Sequence, residues 1–328
     1  MTPAAREDLE VFGPVARDLE VVEAALRSEI DKDPAVVAEP MHDLFEAGGK
    51  RLRPALVLLS ARCGHYDLDR LVPAAMAVEM THAATLVHDD VIDRSAMRRG
   101  RPTVAAALGD EPAIVIGDHY FAKAYELASR TQSTEVVGIL ARAVMDICAG
   151  EVRQQAIRFL YSTGKDEYLE RIAAKTATLL AASCDIGALL GALDREAREA
   201  MLSYGHILGL AFQITDDVLD YVESEQEIGK PIGHDIAEGF ATLPLMLAMR
   251  ESKSAEGLSK ILRDGRKLTP EQAREVVDLV RASGAPNAAI AVAQEYASIA
   301  RRHIRSIEPS DARDALAALA GYVVSRKL

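Results

Sequence analysis

Apolar residues along this chain recur every three or four positions and almost nowhere alternate, so the pattern predicts helices from end to end. Over 69–93 the stripe Leu71, Ala75, Val78, His82, Thr85, Asp89, Asp93 advances by fours and threes. It begins apolar and ends polar, as a helix does when its far end lines a site. A second long helix is predicted over 195–221, with Gly205, Gly209, Phe212, Gln213, Asp216 and Asp220 on one side. Its glycines invite close approach by a neighbouring helix. Further helices are predicted over 112–131, 134–157, 165–191, 270–283, 286–306 and 311–325. Thr269-Pro270-Glu271-Gln272 reads as a helix start, with a capping threonine, proline at N1 and glutamine at N3. Glycine and proline otherwise gather at boundaries, near Gly48-Gly49, Gly100–Pro102, Gly229–Gly233 and Pro286. No linker, low-complexity tract or short repeat interrupts the pattern. The expectation is an all-α protein, one domain over residues 1–328, built as a helical bundle around a deep central cavity.

Composition narrows this only a little. The 328 residues are 49% hydrophobic but only 5% aromatic and contain no tryptophan, which suits helices packed through Ala, Leu, Val and Ile. A net charge of −12 argues against a nucleic-acid binder and makes the local basic runs stand out. Those runs are Lys50, Arg51 and Arg53, then Arg98, Arg99 and Arg101. The three cysteines, Cys63, Cys148 and Cys184, have neither zinc spacing nor a disulfide framework, and read as free thiols of a reducing cytosol. No apolar signal core follows the start, and Asp185 interrupts the richest apolar run, Thr176–Leu193. The expected location is therefore cytoplasmic, without a membrane span.

Two aspartate clusters carry the chemistry. Asp89-Asp90-Val91-Ile92-Asp93 and Asp216-Asp217-Val218-Leu219-Asp220 share the pattern D-D-x-x-D, each at the C-terminal end of a predicted helix. The i, i+4 spacing puts the outer carboxylates about 40° apart around the helix, one turn above one another. Two such helices facing each other would present six carboxylates to one cavity. Packing alone disfavours that, because buried like charges repel and lose their hydration. Magnesium, which binds a few carboxylates while keeping water and phosphate oxygens, would resolve the conflict.

With these clusters come Gly48-Gly49-Lys50-Arg51-Leu52-Arg53-Pro54, Arg98-Arg99-Gly100, Lys175-Thr176, Phe212-Gln213-Ile214-Thr215 and Gly229-Lys230. In that order, from about residue 45 to 250, the chain resembles the trans-isoprenyl diphosphate synthases of the polyprenyl synthetase family. The resemblance implies a transferase that ionises an allylic diphosphate, adds isopentenyl diphosphate to the cation and loses a proton. Asp89 and Asp93, with Asp90 in support, would hold two magnesium ions. Asp216 would hold a third, helped by Asp220 through water, with Asp217 behind them. Arg98, Lys175 and Lys230 would complete the allylic diphosphate pocket. Lys50, Arg53, His82 and Arg99 match the isopentenyl diphosphate site. Thr176 and Gln213 would turn oxygen dipoles toward the cation. Arg51 and Arg101 read as surface or supporting groups, and His88 and Tyr221 as structural. The resemblance also implies a homodimer and leaves room for peripheral membrane association through the product.

One departure stands out. Where the family usually has a lysine, this chain has Phe240, which is expected to weaken the diphosphate site or shift substrate preference. Product length is expected to follow residues just before Asp89. Ala84 and Thr85, with Met80 and Thr81 a turn deeper, are small or unbranched enough to leave a tunnel open. That favours an all-trans product of C30 to C40, with C20 to C25 next, unless Tyr120 or Phe121 forms a floor. Two other readings stay open: a class I terpene cyclase of the same fold, and a non-catalytic partner subunit of a heteromeric synthase.

Overall fold

The structure, a computed structural model, describes residues 12–46, 48–49, 51–222, 233–263 and 265–325. Among the described residues it is all-α apart from one small hairpin. Along the chain run α1 (Ala16–Ile30), α2 (Ala35–Glu46), α3 (Leu52–Arg62) and α4 (Leu68–Ile92). The hairpin β1 (Met97–Arg98) and β2 (Arg101–Pro102) precedes α5 (Val104–Leu108), α6 (Asp110–Arg130) and α7 (Thr134–Ala156). The expected helix over 165–191 is interrupted: α8 (Lys165–Ile172) passes through a π-helical turn, Ala173–Ala177, into α9 (Thr178–Leu190). Then come α10 (Arg195–Val222), α11 (His234–Ala237), α12 (Leu243–Ala248), α13 (Ser252–Leu262), α14 (Pro270–Ala282), α15 (Ala285–His303) and α16 (Asp311–Tyr322). The start of α14 has the expected capping box: the Thr269 hydroxyl accepts from Gln272 N–H, and the Gln272 side chain from Thr269 N–H.

The chain divides into two compact units. The first comprises the chain through Met145 with Leu179–Gly205 and Arg301–Leu319. Its centre is α4, packed against α6 and α3. Helix α9 meets α3 through glycine, since a Cβ at Gly187 would stand 2.2 Å from the Val57 carbonyl oxygen. Another at Gly191 would stand 2.7 Å from that of Ala61. Gly117 on α6 makes room for the His88 ring, which lies where its Cβ would be and bonds the Ile114 carbonyl at 3.0 Å. The residue before the first triad is thereby fixed on a neighbouring helix.

The second unit comprises Asp146–Thr178, His206–Ala300 and Ala320 onward. In it α10 comes up against the π-helical turn at Gly209, whose Cβ would sit 2.4 Å from Ala177 Cα. Gly205, in the first unit, plays the same part against Leu180 and Cys184. Among the described residues one continuous stretch, Lys165–Leu190, is long and apolar enough to cross a bilayer. Since 67% of its most apolar part is buried inside the protein, it has the character of a core helix.

The Gly187 contact sets two effects against each other. Gly187→Ala gains about 1 kcal/mol of helix propensity, but pushing α9 from α3 costs about 1–3 kcal/mol of overpacking strain. A net destabilisation of up to about 2 kcal/mol is expected, read as a lowered urea midpoint. A raised midpoint would mean that the two helices part freely.

Candidate active site

The first unit assembles one triad and a basic cluster. Asp89, Asp90 and Asp93 occupy the last turn and C-cap of α4, with Asp93 N–H donating to the Asp89 carbonyl at 2.8 Å. Asp90 is buried, whereas Asp89 and Asp93 remain partly open. The buried carboxylate is met by Arg98, whose Nε donates at 3.1 and 3.0 Å and Nη2 at 2.9 Å. Arg98 reaches it because the chain reverses in two residues. Arg99 (φ 49°) and Gly100 (φ 78°) are both left-handed, as a tight hairpin turn requires. Glycine takes one of those positions without strain.

Around His82, three residues beyond Glu79 on α4, four arginines converge. Burial first, then the charges of Arg53, Arg99, Arg98 and Arg51, hold its imidazole well below the usual histidine pKa. It is neutral at physiological pH. Arg51 is no surface group. Left-handed at φ 47°, it starts α3 and sends Nη1 to Glu79 at 2.8 Å, Nε to Glu23 at 3.1 Å and Nη2 to the Phe45 carbonyl at 3.1 Å. A Cβ at Gly49 would lie 3.2 Å from Arg51 Nη1 and 3.4 Å from Arg99 Nη1. The bare glycine thus leaves space over two guanidinium groups, suited to an anion of phosphate type. Arg101 pairs with Asp43 and Glu46 at the surface. Lys50, the remaining residue of this set, lies outside the described residues.

The second unit repeats the triad with different supports. Asp216, Asp217 and Asp220 lie near the end of α10; again the middle one is buried and the outer two are partly open. Here the supports are dipoles. Tyr168 Oη donates to Asp217 Oδ2 at 2.7 Å and Gln213 Nε2 to Oδ1 at 2.8 Å. Gln213 in turn accepts from the Thr176 hydroxyl at 2.6 Å. Asp220 accepts from the N–H groups of His234 and Asp235 at 3.1 Å each. Burial first, then the charge of Asp235, pushes both Asp217 and Asp220 above the usual carboxylate range. Lys175, within the π-helical turn, bonds Glu151 at 3.0 Å. Burial works against ionisation of Glu151, yet Lys175 and the amides of Gln155 and Gln154 keep its carboxyl below the ordinary value. Lys230 lies outside the described residues.

Among the described residues no three His, Cys, Asp or Glu side chains are gathered into a closed metal cage. The donor set nevertheless fits a hard dication: each triad offers oxygen only, with its outer pair partly open and its middle member held from behind. A cation would also relieve the repulsion that raises Asp217 and Asp220.

The family model described as "Polyprenyl synthetase" matches residues 34–280. The chain belongs to the polyprenyl synthetase family. It is a trans-prenyltransferase, an enzyme of diphosphate substrates. The heptaprenyl diphosphate synthase component 2 of Bacillus subtilis (strain 168) is 34% identical over 310 residues, covering 94% of this chain and 88% of that one. The short chain isoprenyl diphosphate synthase of Methanothermobacter thermautotrophicus is 35% identical over 326 residues, covering 97% and 99%. The polyprenyl synthase of Caulobacter crescentus CB15, solved with calcium and isoprenyl diphosphate, is 37% identical, with a TM-score of 0.91 over 98% of each chain.

Within this family member, several residues at the site escape a reading by motif. Tyr168, Arg171, Glu151 and Asp235 are each isolated in sequence, and only the folded chain brings them to the triad or to Lys175. A faint signal exists for Asp235, a carboxylate two residues after a glycine. Tyr168 and Arg171 share one helical face at i, i+3 but carry no pattern of their own.

The supports of Asp90 and His82 can be tested separately. Arg98→Ala strands a buried carboxylate and should destabilise the fold by about 3 kcal/mol in urea melts; a cost below about 1 kcal/mol would mean that Asp90 is solvated instead. His82 binds fewer protons folded than unfolded, where its pKa is about 6.5. Its contribution is therefore complete above that pH and falls as pH drops below it. Between about pH 7.5 and about pH 5.5, His82→Gln should lose less stability than the unaltered protein. Equal losses would show that neither burial nor the arginines hold His82 below the usual histidine range.

Proposed function

We propose that this trans-prenyltransferase is magnesium-dependent and condenses an allylic diphosphate with isopentenyl diphosphate to give an all-trans polyprenyl diphosphate, with residues 1–328 acting as one catalytic domain. The observation that carries the reading is the repeated build of the triads. In each, one aspartate is buried and tied down while its two neighbours stay partly open, the division of labour expected of an anchor and two ligands.

In this reading Asp89 and Asp93 hold two magnesium ions, and Asp216 and Asp220 a third. The ions, when bound, stabilise negative charge on the departing pyrophosphate. Asp90 and Asp217 orient the ligands through Arg98 and through Tyr168 with Gln213. Arg98, Lys175 and Lys230 add cationic donors where that charge develops. Lys50, Arg53, His82 and Arg99 bind isopentenyl diphosphate, whose diphosphate must stay attached, so charged side chains without a metal suffice. Neutral His82 can donate one N–H to that diphosphate. Thr176 and Gln213, already bonded to each other, turn oxygen toward the allylic cation without capturing it. A nucleophilic side chain is not required.

For product length, Ala84 and Met80 are fully buried and Thr81 nearly so, while the Thr81 hydroxyl is spent on the Ala77 carbonyl. Tyr120 is fully buried, with its hydroxyl on Asp33 at 3.1 Å, and the Phe121 ring packs 5.5 Å from that of His88. The small side chain of Ala84 and the partly open Thr85 favour a tunnel beside α4 and a C30 to C40 product, with C20 to C25 next, a quinone or carotenoid precursor. Exposed Ile114 and Val115 on α6 and Met145 on α7 support a homodimer. The proposed place of action is the cytoplasm, with product-borne contact to membranes. A second reading rests on the Bacillus relative's name, a component 2: another chain would then complete the enzyme.

The test is purified protein with magnesium, labelled isopentenyl diphosphate and C10, C15 and C20 primers. A ladder ending at one length is expected. Pyrophosphate release from primer alone would indicate a cyclase instead, and silence relieved by a second chain would favour the two-component reading. Asp89→Ala and Asp216→Ala should each lower kcat at least about 100-fold. Ala84→Phe should shorten the product; an unchanged distribution removes Ala84 from the tunnel wall.

A further inference from the structure

Phe240 stands where relatives of this type are expected to carry a lysine, yet the position is not poor in positive charge. Phe240 is 9% exposed, and two guanidinium groups, those of Arg158 and Arg171, lie against its ring, each 5.7 Å from the centroid. Both arginines are held by backbone as well. Arg158 Nε donates to the Glu238 carbonyl at 2.6 Å and pairs with the Glu238 carboxylate; Arg171 Nη2 donates to the Ala241 carbonyl at 2.6 Å. The segment on either side of Phe240 is therefore gripped twice.

From Phe240 two routes lead to the second triad. Through side chains, Arg171 stacks 5.5 Å over the Tyr168 ring, and Tyr168 Oη donates to Asp217 at 2.7 Å. Through backbone, Phe240 N–H donates to the Asp235 carbonyl at 2.8 Å, and Asp235 N–H donates to Asp220 at 3.1 Å. The contacts form a chain that begins at Asp217 and ends at Asp220. A guanidinium lying on an aromatic face is attracted by the ring's quadrupole, the more so when water is excluded. An aliphatic side chain of equal bulk would fill the space without that attraction, and a lysine would repel both neighbours.

We propose that Phe240 is a positioning residue for the second aspartate triad: in ring contact with both Arg158 and Arg171, it fixes Asp217 and Asp220 for binding a divalent cation with a diphosphate. The inference rests on the functional reading above. It replaces the expected loss of a cation by a supply of two, delivered through an aromatic ring rather than from the ring's own position. Arg171, stacked on Tyr168, places a fixed charge one contact behind Asp217.

The test is calorimetric titration of the full-length protein with Mn2+ in the presence of inorganic pyrophosphate, alongside steady-state kinetics. Phe240→Leu should weaken metal–pyrophosphate binding about tenfold, the effect typical of groups that orient a ligand from behind. It should raise KM for the allylic diphosphate while leaving KM for isopentenyl diphosphate unchanged. Phe240→Tyr, which keeps the aromatic face, should bind within about twofold of the unaltered protein. Phe240→Lys should be weaker than Phe240→Leu. If Phe240→Leu does not give a cooperative melt, Arg171→Lys decides, since it keeps charge but loses the planar stack. Unaltered binding in Phe240→Leu or in Arg171→Lys, or equal changes in both KM values, overturns the proposal while the function stands. Failure of the unaltered protein to bind metal with pyrophosphate overturns the functional reading, and this inference with it.

Discussion

Each triad contains a carboxylate withdrawn from water, and the local architecture is arranged around giving that carboxylate partners and holding it still. A buried anion without partners neutralises itself by taking up a proton, and a neutral aspartic acid is a poor support for metal ligands. The two units meet this demand by different means. In the first, a full opposite charge is delivered by Arg98 from a hairpin whose two-residue turn sets its reach. In the second, the partners are dipoles, Tyr168 and Gln213, with Arg171 one contact behind them. A direct ion pair holds charge firmly. Burial and the nearby charge of Asp235 push Asp217 and Asp220 above the usual carboxylate range, and the dipoles of Tyr168 and Gln213 oppose that shift at Asp217.

The basic cluster obeys the reverse logic. Four arginines around one imidazole would be unstable if that imidazole were charged, so its neutrality is part of the arrangement. Arg51 makes the crowding tolerable because two glutamates, Glu23 and Glu79, already absorb its charge. Arg99 comes from a separate element, the hairpin turn, and adds its charge to the same space. The opening over Gly49 is therefore lined by guanidinium from two distant parts of the chain.

Much of this is legible in the sequence, for identifiable reasons. Helix existence comes from period, and the long helices ending at Ile92 and Val222 lie within a residue or two of expectation. Capping chemistry fixes the start at Pro270, because Thr269 and Gln272 leave little alternative. The triads and arginine runs are visible because their chemistry is concentrated in a few consecutive residues. Period and motif cannot supply the identity of distant partners. Tyr168 reaches Asp217 only through tertiary packing, and Arg51 reads as a surface or supporting arginine until its bonds to Glu79, Glu23 and Phe45 decide for the latter. Phe240 reads as a deficit because its neighbours in sequence are not its neighbours in space.

The π-helical turn at Ala173–Ala177 has a consequence of a different kind. Such a turn is equivalent to one residue inserted into an α-helix, and each added residue rotates the rest of the helix by about 100°. Lys175 and Thr176 owe their outlook to that extra residue, and the helix from Thr178 onward owes its register to it. This stretch is held to its length as well as to its side chains at Lys175, Thr176 and Ala177. Losing a single alanine would restore a regular helix and turn every later side chain by more than a quarter of a circle. The extra residue is thus spent on aiming two side chains that would otherwise point elsewhere.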